Sequence, residues 1–453
     1  MCDARRYPVQ EKASHRAWAG GERGTFLLTE ETRRESENRL SRKEPRVGPR
    51  KTGIGSKGLA MAIAKKIHGF ISQASFIRKM FEEGVRLKEK YGAENVFDFS
   101  LGNPNLDPPP EFAERLRELA CAGIPGKHMY MPNAGYPETR AAVASQVSAT
   151  RGVAVGPDQI VMTCGAGGAL NVIFKTLLDP DDEVIIPAPF FVEYRFYVDN
   201  AGGTAVIVPT REDFSLDLER IRCAVTERTK AVLINSPNNP TGKVYDETAI
   251  RDLAALLAEC GMRLGREICL ISDEPYSEIV YDGMTVPSVM AAYPHSLIAS
   301  SYSKGLSLPG ERIGYIAVNP AIRGIEEIMG GLILCNRILG FVNAPALMQR
   351  AVAGLQGVKV DVEVYRKKRD LLCDGLSSAG YAVKRPEGAF YLFLPTPIAD
   401  DVRFAAALQE RRILTVPGSG FFGPGHIRIA YCVDDATILG AMEGFGEVLR
   451  EFR

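Results

Sequence analysis

The strongest constraint on the fold is an alternation of two periodicities through the middle of the chain. Short apolar runs typical of strands fall at residues 161–162, 184–186, 204–208, 231–234, 268–271, 297–300 and 313–318. Between them, residues 170–178, 191–198, 216–225 and 249–260 carry apolar positions at helical spacing. Strands separated by helices with short links are βαβ units, and right-handed crossovers close them into a largely parallel sheet covered on both faces. The texture changes beyond residue 345. A helical stretch at 360–377 leads to β-like runs at 391–394, 413–416 and 427–430 and to a last helix from Asp435, a pattern expected of a small α+β domain. Near the other end, Ile63, Ile67, Ile71, Ile77, Phe81 and Val85 predict two short helices that stop at Gly92. No internal repeat is present.

Composition excludes several classes. At 453 residues, 45% hydrophobic and 24% charged, the chain matches ordinary globular usage and is long enough for two or three domains. It has no uninterrupted apolar stretch of membrane-spanning length, and Asp3, Glu11 and Glu22 interrupt its first 30 residues, so the expected compartment is the cytoplasm. Nine scattered cysteines without a C-x-x-C pair predict reduced thiols, and neither disulfides nor a metal are expected. Residues 1–58 hold 14 Lys/Arg against 8 Asp/Glu, and the rest of the chain 41 against 47. This segment has no sustained apolar period and is read as a disordered basic tail. Its interspersed acids dilute any patch for nucleic acid or membrane phosphates, so neither partner is expected. Met61, directly before the first periodic segment, is the start expected for the folded chain.

In an open parallel sheet, ligands sit beyond the carboxyl ends of the strands. Four such places are polar here. The turn Thr163 to Leu170 holds Gly165, Gly167 and Gly168 and runs straight into a helix, whose free N–H groups could cradle a phosphate or simply make a tight turn. A dinucleotide fingerprint is disfavoured, because its third glycine would fall at Leu170. The second place, Ser236 to Gly242, is by itself a loop. The third sets Asp273 at the end of an apolar run, either as a helix cap or as a buried carboxylate holding a cationic nitrogen. The fourth, Ser301 to Tyr315, places Lys304 between hydroxyl groups and Arg312 eight residues later.

Together these residues resemble the class I/II pyridoxal-phosphate aminotransferases of fold type I, from about residue 61 to the C-terminus. The resemblance rests on motifs in family order: Asn239-Pro-Thr-Gly, Asp273 with Tyr276, Ser301 with Lys304, Arg312 and the late Arg428. Leu101 to Pro104, Tyr130 to Gly135 and Pro137 to Arg140 resemble the amino-terminal signatures. It implies an α/β fold: a large cofactor-binding domain at 107–345 with a seven-stranded, mostly parallel sheet, and a small domain from segments 59–106 and 346–453. The implied function is a transaminase that moves the amino group of an L-amino acid to a 2-oxo acid, with 2-oxoglutarate the usual acceptor.

The resemblance also assigns roles. Lys304 forms the Schiff base with pyridoxal 5'-phosphate and moves the proton. Asp273 pairs with the ring nitrogen, and Tyr276 and Asn239 bond the phenolic oxygen. Backbone N–H groups of Ala166 and Gly167, with Ser301, Ser303 and Arg312, hold the phosphate. Phe191 stacks on the ring, Phe190 being the alternative. Arg428 captures the substrate carboxylate, with Gly102 and Asn239 beside it, and Tyr130 reaches the phosphate of a neighbouring subunit, implying a homodimer with shared active sites. Some dicarboxylate-selective relatives carry Lys where Gly167 stands, so an acidic side chain needs a cation elsewhere, from the partner subunit or near Lys65, Lys66 or Arg78. The rival readings are a β-lyase or other elimination enzyme on the same residues, a nicotinamide oxidoreductase resting on the glycine turn alone, and a non-enzymatic regulator, disfavoured because residues 1–58 lack the helix–turn–helix periodicity of a DNA-binding domain.

Overall fold

The computed structural model describes residues 62–72 and 76–453. The expectations for the tail at 1–58, for Met61 and for the side chain of Arg78 lie outside the described residues.

Within the unit 66–453, the chain passes from α1 (Lys65–Ser72) and α2 (Phe76–Tyr91) into β1 (Phe97–Asp98). Then come α3 (Pro110–Cys121) and α4 (Pro137–Arg151). Both begin with proline, whose fixed φ suits a first helical turn and whose missing N–H costs nothing there. The alternating region follows as β2 (Ile160–Thr163), α5 (Gly165–Leu177), β3 (Glu183–Ala188), α6 (Glu193–Asn200), β4 (Thr204–Pro209) and α7 (Leu218–Ala224). It continues as β5 (Thr229–Asn235), α8 (Glu247–Leu264), β6 (Cys269–Asp273), α9 (Val289–Ala292), β7 (Ser296–Ser301) and β8 (Gly314–Val318). After α10 (Ile325–Ile338), α11 (Ala346–Ala353) and α12 (Val362–Ala379) come β9 (Tyr391–Pro395), α13 (Asp401–Glu410), β10 (Ile413–Leu414), β11 (Val416–Pro417), β12 (His426–Ala430) and α14 (Asp435–Glu451).

Seven strands form one sheet in the order β2-β8-β7-β6-β5-β3-β4. The expected parallel arrangement holds from β4 across to β7. Strand β8 is the exception, running antiparallel to both β7 and β2. The connection 302–313 contains no α-helix that could carry the chain back across the sheet, and a parallel return requires such a crossover. The apolar runs are continuous because both faces are covered. On β5, Val232 and Ile234 enter the core on one face, while Ala231 and Leu233 enter the core on the other.

The C-terminal region carries a three-stranded sheet, β11-β12-β9, over its own core of Phe404, Phe445, Ile427 and Leu394. The run expected as one strand at 413–416 is divided. Ile413 and Leu414 pair with the early strand β1, whereas Val416 and Pro417 pair with β12. All four residues are buried, so a burial pattern alone carries no sign of the change of partner. Helix α11, beyond residue 345, contributes Met348, Ala351 and Val352 to the core under the large sheet.

Candidate active site

The carboxyl ends of β5, β6 and β7 bring Asn235, Asp273 and Ser301 to one edge of the sheet, with Asn235 and Asp273 side by side in register. They border a cavity of about 350 Å³, a size suited to a cofactor or small substrate. Its wall includes Gly102, Ala166, Gly167, Phe191, Asn239, Asp273, Tyr276, Ser301, Ser303, Lys304, Arg312 and Arg428. Every site residue expected from the sequence is therefore in this wall, except Tyr130. Tyr130 is 88% exposed and lies beside Met129 and His128 in a separate surface hollow. Of the two phenylalanines, Phe191 lines the cavity, whereas Phe190 is buried against Phe422 with ring centroids 5.1 Å apart.

Asp273 ends β6 and starts no helix, which removes the capping alternative. It is 5% exposed. Tyr194 donates its hydroxyl to Oδ2 at 2.5 Å, while Oδ1 is buried without a partner. Burial lifts this carboxyl to about 7, the Tyr194 hydrogen bond opposing and the neighbouring Glu274 adding to the rise. Asn235 fixes the surroundings. Its amide donates to the carbonyl of Asp273 at 2.9 Å and its Oδ1 accepts from the backbone N–H of Asn239 at 2.7 Å.

Lys304 donates to the carbonyl of Gly102 at 3.0 Å and lies above the rings of Phe390 and Tyr276. Burial brings its amine down to about 8; the charges of Arg312 and Arg428 act the same way and Cys432 opposes them. The hydroxyls of Tyr276 and Tyr391 share a 3.0 Å hydrogen bond, and burial raises the Tyr276 phenol well above its usual range.

Arg428, on β12, is 2% exposed. It donates to Oδ1 of Asn239 at 3.2 Å and to the carbonyl of Ser100 at 2.6 Å, and its Nε is buried without a partner. Tyr391 and Phe421 stack near its guanidinium. A buried guanidinium with only neutral partners is a ready receptor for a carboxylate.

A second electropositive corner forms where α5 starts. The glycine turn is itself the first turn of this helix, which begins at Gly165, five residues before the expected start. Gly165 has φ +72°, and a Cβ there would lie 2.8 Å from an Arg312 terminal nitrogen. Only glycine allows both the left-handed backbone and the close approach of that cation. Gly102 is constrained by close approach alone, since a Cβ on it would meet the Tyr391 hydroxyl at 1.8 Å.

Sequence reasoning missed Tyr194, Asn235, Glu193, Tyr197 and Tyr391, which also line the cavity. Only Asn235, the polar last residue of a buried strand, carried a signal of the kind used for Asp273. Lys66, a candidate cation for an acidic substrate, pairs with Asp199 at 2.6 Å and is absent from the cavity wall.

Comparison with known proteins shows what the whole chain is similar to. The family profile for aminotransferase class I and II matches residues 94–445. A probable aspartate/prephenate aminotransferase of Thermus aquaticus is 37% identical over 357 residues, covering 78% of this chain and 91% of the relative. A probable aspartate aminotransferase of Methanocaldococcus jannaschii is 33% identical over 345 residues, covering 74% and 89%. Among solved structures, an aminotransferase from Eubacterium rectale superposes with a TM-score of 0.84 at 39% identity, covering 87% of this chain and all of the other. The aspartate aminotransferase of Thermus thermophilus with maleate gives 0.76 at 32% identity, covering 86% of this chain and all of the other.

Proposed function

This chain belongs to the aminotransferase class I and II family, and we propose that the cavity at the edge of its large sheet is the active site. The protein is a fold type I transaminase that uses pyridoxal 5'-phosphate and moves the amino group of an L-amino acid to a 2-oxo acid. The observation that carries the site assignment is that two buried groups of opposite charge, Asp273 with an unpartnered Oδ1 and Arg428 with an unpartnered Nε, share one cavity with Lys304.

The residues fit the cofactor. An orphaned, buried carboxylate oxygen calls for a cation, and a protonated ring nitrogen meets that need. The N-terminus of α5, Ser301, Ser303 and Arg312 suit a phosphate. Tyr276 and Asn239 would hold the phenolic oxygen, Phe191 the ring face and Lys304 the aldehyde carbon. When bound, the cofactor supplies an electron sink for the electrons left as the substrate Cα loses its proton.

The chain's own groups supply the rest. Arg428 takes the α-carboxylate and, held between Asn239, Ser100 and two aromatic rings, orients the Cα–H bond. Lys304, its amine brought down to about 8 by burial, is partly neutral at physiological pH and accepts that proton as a general base. Asp273, ionised by its cationic partner, keeps the ring nitrogen charged. The likeness to aspartate aminotransferases favours 2-oxoglutarate as the acceptor. The exposure of Tyr130, away from its own cavity, favours a homodimer in which it reaches the partner's phosphate. Segments 59–106 and 346–453 are read as the small domain and 107–345 as the large one, except that α11, just past residue 345, packs under the large sheet.

Borohydride reduction of the yellow holoenzyme followed by peptide mapping tests the assignment. The label is expected on Lys304, and Lys304→Ala is expected to lose transamination by several orders of magnitude. A label elsewhere, or more than a few per cent of activity in the variant, rejects it.

A further inference from the structure

Glu193 opens α6 and stands in the wall of the cavity. An acid in a first helical turn usually complements the helix dipole from water. This one differs, because its Oε2 is buried and has no hydrogen-bond partner. It acts electrostatically on Arg428, Tyr391 and Tyr197, yet no ion pair joins it to the equally unpartnered Nε of Arg428. The space between the two charges is where a substrate carboxylate and its side chain would lie.

The cations among the described residues of the wall are Lys304, Arg312 and Arg428. On the reading above, the first two attend the cofactor and the third takes the α-carboxylate. No further described cation in the wall faces a second substrate carboxylate, whereas an anion does. A buried carboxylate oxygen without a partner is costly, and a substrate cation satisfies it.

We propose that Glu193 sets the side-chain specificity of the enzyme, accepting the cationic end of a basic L-amino acid and disfavouring aspartate. The proposal rests on the transaminase reading and on the place of Arg428 within it. The acceptor binds in turn to the same cavity, and the distal carboxylate of 2-oxoglutarate then meets Glu193 as a carboxylic acid that donates to it. Burial holds this carboxyl above its usual range, with a hydrogen bond from its own backbone and the charge of Arg428 on β12 opposing; Tyr391 on β9 and Tyr197 on its own helix are the other titratable groups facing it. Dicarboxylates therefore lose ground as pH rises, and basic amino acids gain.

The test uses the holoenzyme and its Glu193→Gln variant at pH 8. Calorimetry compares 6-aminohexanoate with adipate, two carboxylates of similar length that differ in the distal charge. The wild type is expected to bind the amino compound at least about tenfold more tightly, and the variant to lose that preference. In single-turnover conversion, the rate ratio of L-lysine to L-leucine is expected to fall about tenfold or more in the variant, and that of L-aspartate to L-leucine to rise. Equal or tighter binding of adipate by the wild type overturns the proposal, whether or not the variant folds. Unchanged ratios with all three substrates slowed alike also overturn it, since they mark a structural role. If the wild type converts no amino acid at all, the transaminase reading itself fails and the proposal falls with it.

Discussion

The hydroxyl of Tyr194 is bonded to Oδ2 of Asp273 at 2.5 Å, so that the other carboxylate oxygen alone is left to face a ligand. The pair joins the first turn of a helix to the end of a strand 79 positions away. It turns a buried acid into a directional receptor, one oxygen anchored and one unsatisfied.

Tyr194→Phe removes the hydrogen bond that restrains the Asp273 carboxyl, so this group should hold its proton to higher pH. We expect kcat/KM to fall about tenfold and the acidic limb of its pH profile to move upward. An unmoved limb in the variant would mean that Tyr194 serves packing only.

For the cofactor-free protein, the Asp273 carboxyl, at about 7, lies above its unfolded value of 3.8. The folded state therefore binds the proton more tightly. The stability this contributes is fully present below about pH 4 and is lost as pH rises through about 7. Asp273→Asn, which cannot ionise, should make the cofactor-free protein more stable than wild type at pH 8, by an amount on the order of a few kcal/mol. The difference should vanish toward pH 4. Denaturant titrations at the two pH values check this, and the same variant should lose at least about a hundredfold in the chemical step of the holoenzyme.

Behind Asp273, Arg151 at the end of α4 forms an ion pair with Glu274, whose side chain is 1% exposed. Arg151→Met leaves that carboxyl without its cation and should cost about 3–5 kcal/mol in chemical denaturation. The double variant Arg151→Met with Glu274→Leu should recover most of the loss. A double variant as unstable as the single one would show that packing, and not the buried charge, sets the cost.

Gly165→Ala demands a left-handed backbone from a residue with a Cβ and pushes that Cβ against Arg312. Cofactor affinity should fall about tenfold or more, measured by fluorescence titration of the cofactor-free protein, because the phosphate corner is displaced. Gly310, next to the same loop but with open space around it, provides the control: Gly310→Ala should leave affinity within about twofold.

Much of this molecule is legible in its amino-acid order. The alternation of strand and helix runs is a local property of side-chain periodicity, and it located the strands of the large sheet to within two residues at their ends. Lys304, Asp273, Asn239 and Arg428 stand out because polar or charged residues interrupt apolar runs or follow them directly, and because their order matches a family. Helix ends were read less closely: α8, expected over 249–260, runs from Glu247 to Leu264, because Asp246 caps it by accepting from the N–H of Ala249 at 2.7 Å and Gly265 closes it in the left-handed conformation.

Tertiary structure alone decided the rest. The reversal of β8, the division of 413–417 between two sheets and the choice of Phe191 over Phe190 for the cavity depend on which segments meet. Local periodicity does not encode that. The same holds for electrostatics. Glu193, Tyr194 and Tyr197 sit in one short helix whose sequence looks like an ordinary amphipathic turn. Their chemistry arises only when β6 and β12 bring Asp273 and Arg428 against them and water is excluded. Burial and pairing are properties of the packed neighbourhood, and they make one carboxyl an anchored receptor, leave one oxygen of another without a partner and make one amine a base.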